Sequence, residues 1–196
     1  MRLGILGGTF DPIHYAHLFV AEDARHAVGL DRVLFVPNRH PPHKLGAPLA
    51  PAEERLAMVR LAVAGNPRFE CSDVEVRREG LSYTADTLAE LHGMYPDAEL
   101  HFIIGLDAVL ELASWHRPDD VVRLARLVAV ARPGYPAEEC ASRLPAEYLD
   151  RMTILPTLGL ELSSSALRER VRTGRSIRYL TPDAVLSHIE SRRLYR

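Results

Sequence analysis

Short apolar runs alternate with stretches whose apolar residues recur every three to four positions, and this alternation organises the whole chain. The runs Leu3–Leu6, Val33–Val36, Phe69–Cys71, Leu100–Ile104, Leu127–Ala131 and Met152–Leu155 have strand length and predict six strands. Between them, amphipathic spacing predicts helices at His17–Val28, Pro51–Ala64, Thr84–Met94, Asp119–Leu124, Glu138–Leu144, Ser165–Thr173 and Pro182–Ser191. Strands and helices taken in that order predict an α/β fold: a Rossmann-like, doubly wound, mostly parallel sheet with helices on both faces. The loop from Asn38 to Pro51, rich in proline and basic residues, and the irregular stretch Pro133–Pro145 read as excursions within one domain, 1–196. The helical segment from about residue 163 onward closes that domain. There is no internal repeat and no low-complexity segment.

Composition narrows the class. With 196 residues, 47% hydrophobic, 26% charged and a formal net charge of −2, the chain has the make-up of a compact soluble enzyme. A near-neutral balance supplies no overall drive toward nucleic acid, so none is expected as a partner. Asp11 interrupts the apolar start before a signal-peptide core forms, and no apolar run approaches the ~20 residues that span a bilayer, so no membrane association is expected. Cys71 and Cys140 stand far apart with no paired spacing and read as reduced thiols of a cytoplasmic protein. Homo-oligomerisation is left open.

The residues richest in chemistry follow the first strand: Gly7-Gly8-Thr9-Phe10-Asp11-Pro12-Ile13-His14-Tyr15-Ala16-His17. Glycines let backbone approach an anion without a Cβ in the way, Pro12 suits the opening of a helix, and phosphate sits well on that helix's unpaired N–H groups. His14 and His17, three residues apart, would share one face of the first turn and reach the same ligand. A bare strand-to-helix turn is the plain alternative, and zinc a further one, though no nearby Cys or HExxH pattern completes a zinc site. The dinucleotide fingerprint G-x-G-x-x-G is absent, since Thr9 and Phe10 follow adjacent glycines.

Ligands of open α/β sheets bind beyond the carboxyl ends of the strands, and the other unusual clusters fall at such ends. They are Pro37 to Lys44, Gly105-Leu106-Asp107, Arg132 to Tyr135, and Ser163-Ser164-Ser165-Ala166-Leu167-Arg168. Three residues beyond Ser165 stands Arg168 in place of the acid of a capping box, and a cation in a helix's first turn opposes the macrodipole unless an anion sits between them. Serine hydroxyls, free N–H groups and Arg168 would make a triphosphate clamp; a serine-capped surface helix is the alternative. Lys44 is the only lysine, and its compact ammonium on a flexible stem would follow charge moving between phosphates.

Residues Gly8 to His17 resemble the G-x-F-D-P-x-H-x-G-H signature of the nucleotidyltransferase superfamily, with Ala16 at the usual glycine. Pro41-Pro42-His43-Lys44, Leu81-Ser82-Tyr83-Thr84-Ala85-Asp86-Thr87-Leu88, Phe102 to Asp107, Ser114 to Arg117 and Arg178 to Pro182 extend the resemblance over nearly the whole chain, to the bacterial nicotinate-mononucleotide adenylyltransferases. Leu106 departs from that family's frequent alanine.

The resemblance implies transfer of AMP from ATP to nicotinate mononucleotide, giving deamido-NAD and pyrophosphate in NAD biosynthesis. His14, His17, Lys44 and Arg168 would be the catalytic groups. Gly7, Gly8, Thr9, Phe10, Gly105, Asp107, Ser163 and Ser164 would join them around ATP, with the serine–arginine motif on the β- and γ-phosphates and Asp107 on a ribose hydroxyl. Asp11, Tyr83, Thr84, Trp115 and Arg132 would meet the mononucleotide, Trp115 stacking on its ring. Mg²⁺ would be held by the triphosphate, with no protein side chain as ligand. Phosphopantetheine or cytidylyl transfer, an aminoacyl-tRNA synthetase core and a non-catalytic nucleotide sensor remain alternatives at this stage.

Overall fold

The computed structural model describes residues 1–42, 46, 49–131 and 144–196. Six strands form one sheet in the order β3-β2-β1-β4-β5-β6: β1 (Arg2–Gly8), β2 (Arg32–Pro37), β3 (Phe69–Cys71), β4 (Glu99–Gly105), β5 (Arg126–Ala131) and β6 (Met152–Pro156). The pairs β1–β4, β4–β5 and β5–β6 are parallel, with Leu3 opposite Leu100, Phe102 opposite Leu127 and Leu127 opposite Met152. This is the strand order of the doubly wound dinucleotide-binding fold, whose switch point falls between β1 and β4.

The helices, among the described residues, are α1 (Tyr15–Ala27), α2 (Ala52–Val63), α3 (Val74–Arg77), α4 (Thr84–Met94), α5 (Leu106–Val109), α6 (Pro118–Leu124), α7 (Ala146–Leu149), α8 (Ser164–Arg172) and α9 (Asp183–Arg192). Every predicted strand is present, and the predicted helices other than Glu138–Leu144 are present with ends shifted by two residues at most. Residues 138–143 of that predicted helix lie outside the described residues, and Leu144 is a bend. The single turns α3, α5 and α7 are additional; four residues hold too little periodicity to announce themselves. No helix of the described residues is long and apolar enough to cross a membrane.

Two compact units emerge from the packing. The first comprises Met1–Gly7, Val20–Leu34 and Tyr83–Gly159. Its strands are apolar along their length because both faces are covered: Leu3, Ile5, Leu100, Ile103, Leu127 and Val128 are buried, as are Leu88 and Leu91 of α4 and Val121 of α6. The second unit comprises Gly8–Phe19, Phe35–Ser82 and Leu160–Arg196. Here Phe10 meets Phe35 with ring centroids 5.9 Å apart and Phe35 meets Phe69 at 5.1 Å. Helix α2 packs on α9, Leu56, Met58 and Val59 on one side and Val185, Leu186 and Ile189 on the other being buried. Each such side chain contributes roughly 1.5–3 kcal/mol on burial.

Candidate active site

In the second unit, the segment after β1 is built around Phe10. Its backbone is left-handed (φ 48°) and its ring lies where a side chain on Gly8 would be, 2.9 Å from an ideal Cβ, so glycine at position 8 is required by the protein's own ring. Asp11 and Pro12 form a turn through a cis peptide, and α1 starts at Tyr15, later than a helix opened by Pro12 would. The N–H of Tyr15 donates to Leu180 O at 3.1 Å, while Thr181 Oγ1 donates to Ile13 O at 2.8 Å. That first amide is therefore already engaged.

His14 and His17 are brought together as expected, by stacking rather than by sharing a helical face. Their rings lie 3.7 Å apart at 20°, and His17 also meets the edge of Phe10 at 5.1 Å. The His14 backbone N–H donates to His17 Nδ1 at 3.2 Å, which places the proton of a neutral His17 on Nε2. His14 is 3% exposed, and burial pushes its pKa down to about 4, so it is neutral at pH 7. The pair offers an imidazole N–H whose tautomer is set by the fold.

Arg55, which the sequence reading passed over, is 1% exposed. Its guanidinium donates to four backbone carbonyls: Thr9 at 2.8 Å, Asn38 at 2.6 Å, Arg39 at 3.1 Å and Ala50 at 3.0 Å. One side chain thus ties the Thr9 turn to the chain leaving β2 and to the approach to α2, at the cost of a buried charge whose pKa burial drives down. A signal was present: Arg55 lies three and four residues before Met58 and Val59, on the buried face of α2.

Around the serine motif, Ser163 caps α8 by accepting from the Ala166 N–H at 3.2 Å, Ser164 Oγ donates to Pro12 O at 2.9 Å, and Ser165 Oγ accepts from Arg168 at 3.1 Å. Arg168 Nη1 also donates to Asp11 O at 2.7 Å and lies 3.7 Å from Asp11 Oδ2. Because the cap is Ser163 and not Ser165, Arg168 lies beyond the first turn of the helix rather than in it, and the anion beside it in this structure is Asp11 of the same chain. Asp11 is 1% exposed, with Oδ1 accepting from Tyr195 OH at 2.7 Å and from the Ala50 N–H at 3.3 Å. The sequence places Asp11 at the mononucleotide; in the structure its carboxylate is turned inward, onto Tyr195, Ala50 and Arg168.

In the first unit, β4 ends at Gly105, and exposed Asp107 sits in the first turn of α5 with its carboxylate folded back over Gly105. Tyr83 precedes α4 without capping it by side chain, Thr84 opens that helix, and the Tyr83 and His116 rings lie 4.3 Å apart. Trp115 is half-buried, its ring 6.3 Å from Phe102 at 70°, so it is neither a core residue nor fully exposed. Arg117, left-handed at φ 54°, bridges Asp86 of α4 at 3.0 Å and Asp120 of α6, fixing the segment that carries Trp115. Gly7 ends the first unit's part of β1, and a Cβ there would make only ordinary contact with Phe102. Lys44 and Arg132 lie outside the described residues.

Comparison with known proteins converges on one family. Residues 5–170 match the cytidylyltransferase-like family model. A protein of Desulfitobacterium hafniense named probable nicotinate-nucleotide adenylyltransferase is 43% identical over all of this chain and 96% of its own length. Proteins of the same name from Moorella thermoacetica and Thermomicrobium roseum are each 46% identical over all of this chain and 92% of theirs. Among solved structures, the Plasmodium falciparum nicotinic acid mononucleotide adenylyltransferase superimposes with a TM-score of 0.81 in a complex with NaAD and 0.79 in one with APC. Both cover 99% of this chain, and 97% and 96% of theirs, at 20% identity, a likeness of fold. With its sheet order, its paired histidines and full-length relatives of one name, the chain belongs to the cytidylyltransferase-like family and, within it, to the nicotinate-nucleotide adenylyltransferases.

Proposed function

We propose that this chain transfers AMP from ATP to nicotinate mononucleotide, forming deamido-NAD and pyrophosphate. An oxygen of the acceptor's 5′-phosphate forms a bond to the α-phosphorus in line with the breaking bond to the bridging oxygen, and pyrophosphate leaves with that electron pair. The acceptor is already ionised, so no general base and no covalent enzyme intermediate are needed; positioning and stabilisation of charge carry the catalysis. The observation that carries this reading is the stacked histidine pair, because the His14 backbone N–H occupies His17 Nδ1 and so leaves His17 Nε2–H as the donor toward phosphate, with buried His14 neutral beside it.

In this reading His17 Nε2–H donates to the α-phosphate as charge develops, with His14 supporting its orientation. Arg168 meets the β- and γ-phosphates with the three of its five N–H donors that have no partner among the described residues, and Ser163 and Ser164 hold α8 in place for it. Lys44 neutralises the leaving pyrophosphate, and Mg²⁺ arrives with the nucleotide as part of the substrate. Tyr83, Thr84 and Trp115 hold the nicotinate ring, Asp107 a ribose hydroxyl and Arg132 the acceptor phosphate. The product is a cytoplasmic NAD precursor, and the chain works there on small molecules. Pyrophosphate release measured with ATP and nicotinate mononucleotide tests the reading. It predicts pyrophosphate and dinucleotide in equal amounts, and neither product forming would reject it.

A further inference from the structure

Asp11 is a hub with one oxygen occupied and one vacant. Tyr195 OH at 2.7 Å and the Ala50 N–H at 3.3 Å both donate to Oδ1, whereas Oδ2 has no hydrogen-bond partner among the described residues and faces Arg168 Nη1 at 3.7 Å. That separation is informative. A carboxylate and a guanidinium free to reorient close to about 2.7–2.9 Å, often through two parallel bonds. Here the guanidinium is anchored to the Asp11 carbonyl at 2.7 Å and to Ser165 Oγ at 3.1 Å, and the carboxylate is turned so that the short ion pair does not form.

Of the two donors that hold that turn, Tyr195 makes the shorter bond and is the only side chain. Chain reversal at Arg193 (φ 53°) ends α9 and delivers the ring, and Tyr195 itself is left-handed at φ 65°. Such a backbone is uncommon for an aromatic residue and persists where surrounding contacts over-determine it. Burial and then the Asp11 carboxylate push the Tyr195 hydroxyl far up, so it remains a donor throughout the working pH range.

We propose that Tyr195 is a positioning residue for triphosphate binding: its hydroxyl holds the Asp11 carboxylate in an orientation that attracts Arg168 without capturing it, keeping guanidinium donors available for phosphate oxygens. The inference rests on the reading that Arg168 contacts the triphosphate. Without the hydroxyl, Asp11 turns onto Arg168 and competes with the nucleotide, so the defect is specific to ATP.

Binding of a non-hydrolysable ATP analogue by calorimetry, together with KM for ATP and for nicotinate mononucleotide, tests this in five proteins: wild type, Tyr195→Phe, Arg168→Ala, Tyr195→Phe with Arg168→Ala, and Tyr195→Phe with Asp11→Asn. Tyr195→Phe should weaken the analogue and raise KM for ATP by about threefold to tenfold, the scale of one hydrogen bond to a charged group acting indirectly. KM for the mononucleotide should stay within twofold. In the Arg168→Ala background the same substitution should change analogue binding by less than twofold, and Asp11→Asn added to Tyr195→Phe should recover affinity because the competing charge is gone. Equal rises in both KM values, or an undiminished effect with Arg168→Ala, would overturn the proposal and leave Tyr195 a structural residue. So would wild-type binding by Tyr195→Phe while Arg168→Ala binds poorly. Wild-type binding by Arg168→Ala itself would instead remove the triphosphate reading of Arg168, and this proposal with it.

Discussion

Between pH 6.5 and 4, His14 alone should remove about 3 kcal/mol of folding stability. The unfolded chain binds a proton at this histidine near 6.5, whereas burial in the stack with His17 holds the folded ring neutral down to about 4. Within that window the unfolded state carries more protons than the folded one, so stability rises with pH and falls on acidification; above 6.5 both states are neutral and the contribution vanishes. The drop from 6.5 to about 4, at about 1.36 kcal/mol per pH unit, gives the figure. At roughly 2–4 °C per kcal/mol for a chain of this size, it corresponds to a Tm difference of about 6–12 °C. Urea unfolding of wild type and His14→Asn at several values between pH 4 and 7.5 isolates the effect. Carboxylates titrate in both proteins and cancel in the difference, as does His101, which burial also holds below its ordinary value. The wild type should lose about 1.36 kcal/mol per pH unit more than the variant across the window and nothing extra above it. Parallel curves would mean that His14 is solvated or charged in the folded protein, and the neutral-imidazole account of the site would fall with it.

Three further outcomes follow from the same geometry. His17→Ala should lower kcat by about 10²-fold or more with little change in KM for ATP, as for a lost donor that acts on developing charge; an unchanged kcat in a folded variant would remove His17 from the chemistry. Arg55→Met leaves four carbonyls without their donor and should cost about 4 kcal/mol at about 1 kcal/mol per bond, measured by urea unfolding; a loss below about 1 kcal/mol would show that the buried charge cancels its own bonds. Thr84 opens α4 with no side-chain cap, so its first-turn N–H groups favour an anion, and nicotinate mononucleotide should exceed the nicotinamide analogue in kcat/KM by about 10²-fold. Trp115→Ala should lower both activities and keep much of the ratio, and equal use of the two by the wild type would refute the pocket's polarity.

What could be read from the sequence depended on the range of the interaction. Strands such as Leu3–Leu6 and Leu100–Ile104 are legible because burial on both faces demands an unbroken apolar run, and the histidine pair is legible because its members are three residues apart. The serine motif was legible in part: a cap at Ser165 would put Arg168 in a first turn and call for an anion, whereas the cap is Ser163 and Arg168 lies one turn in, and local reasoning had no means of finding Asp11, 157 residues earlier in the chain. Tyr195 and Arg55 were missed for the same reason, their partners lying 184 and up to 46 residues away. Arg55 had still left a trace. An arginine at the buried spacing of Met58 and Val59 is a local contradiction, and contradictions of this kind occur where a structure requires a polar group more than it resists burying one. The same logic runs through Asp11 and Arg168: a carboxylate only 1% exposed opposes burial, and the guanidinium 3.7 Å from it, 157 residues further along the chain, accounts for it. In this site the residues that break the burial rule, Arg55 and Asp11, are the ones that hold the loops in place.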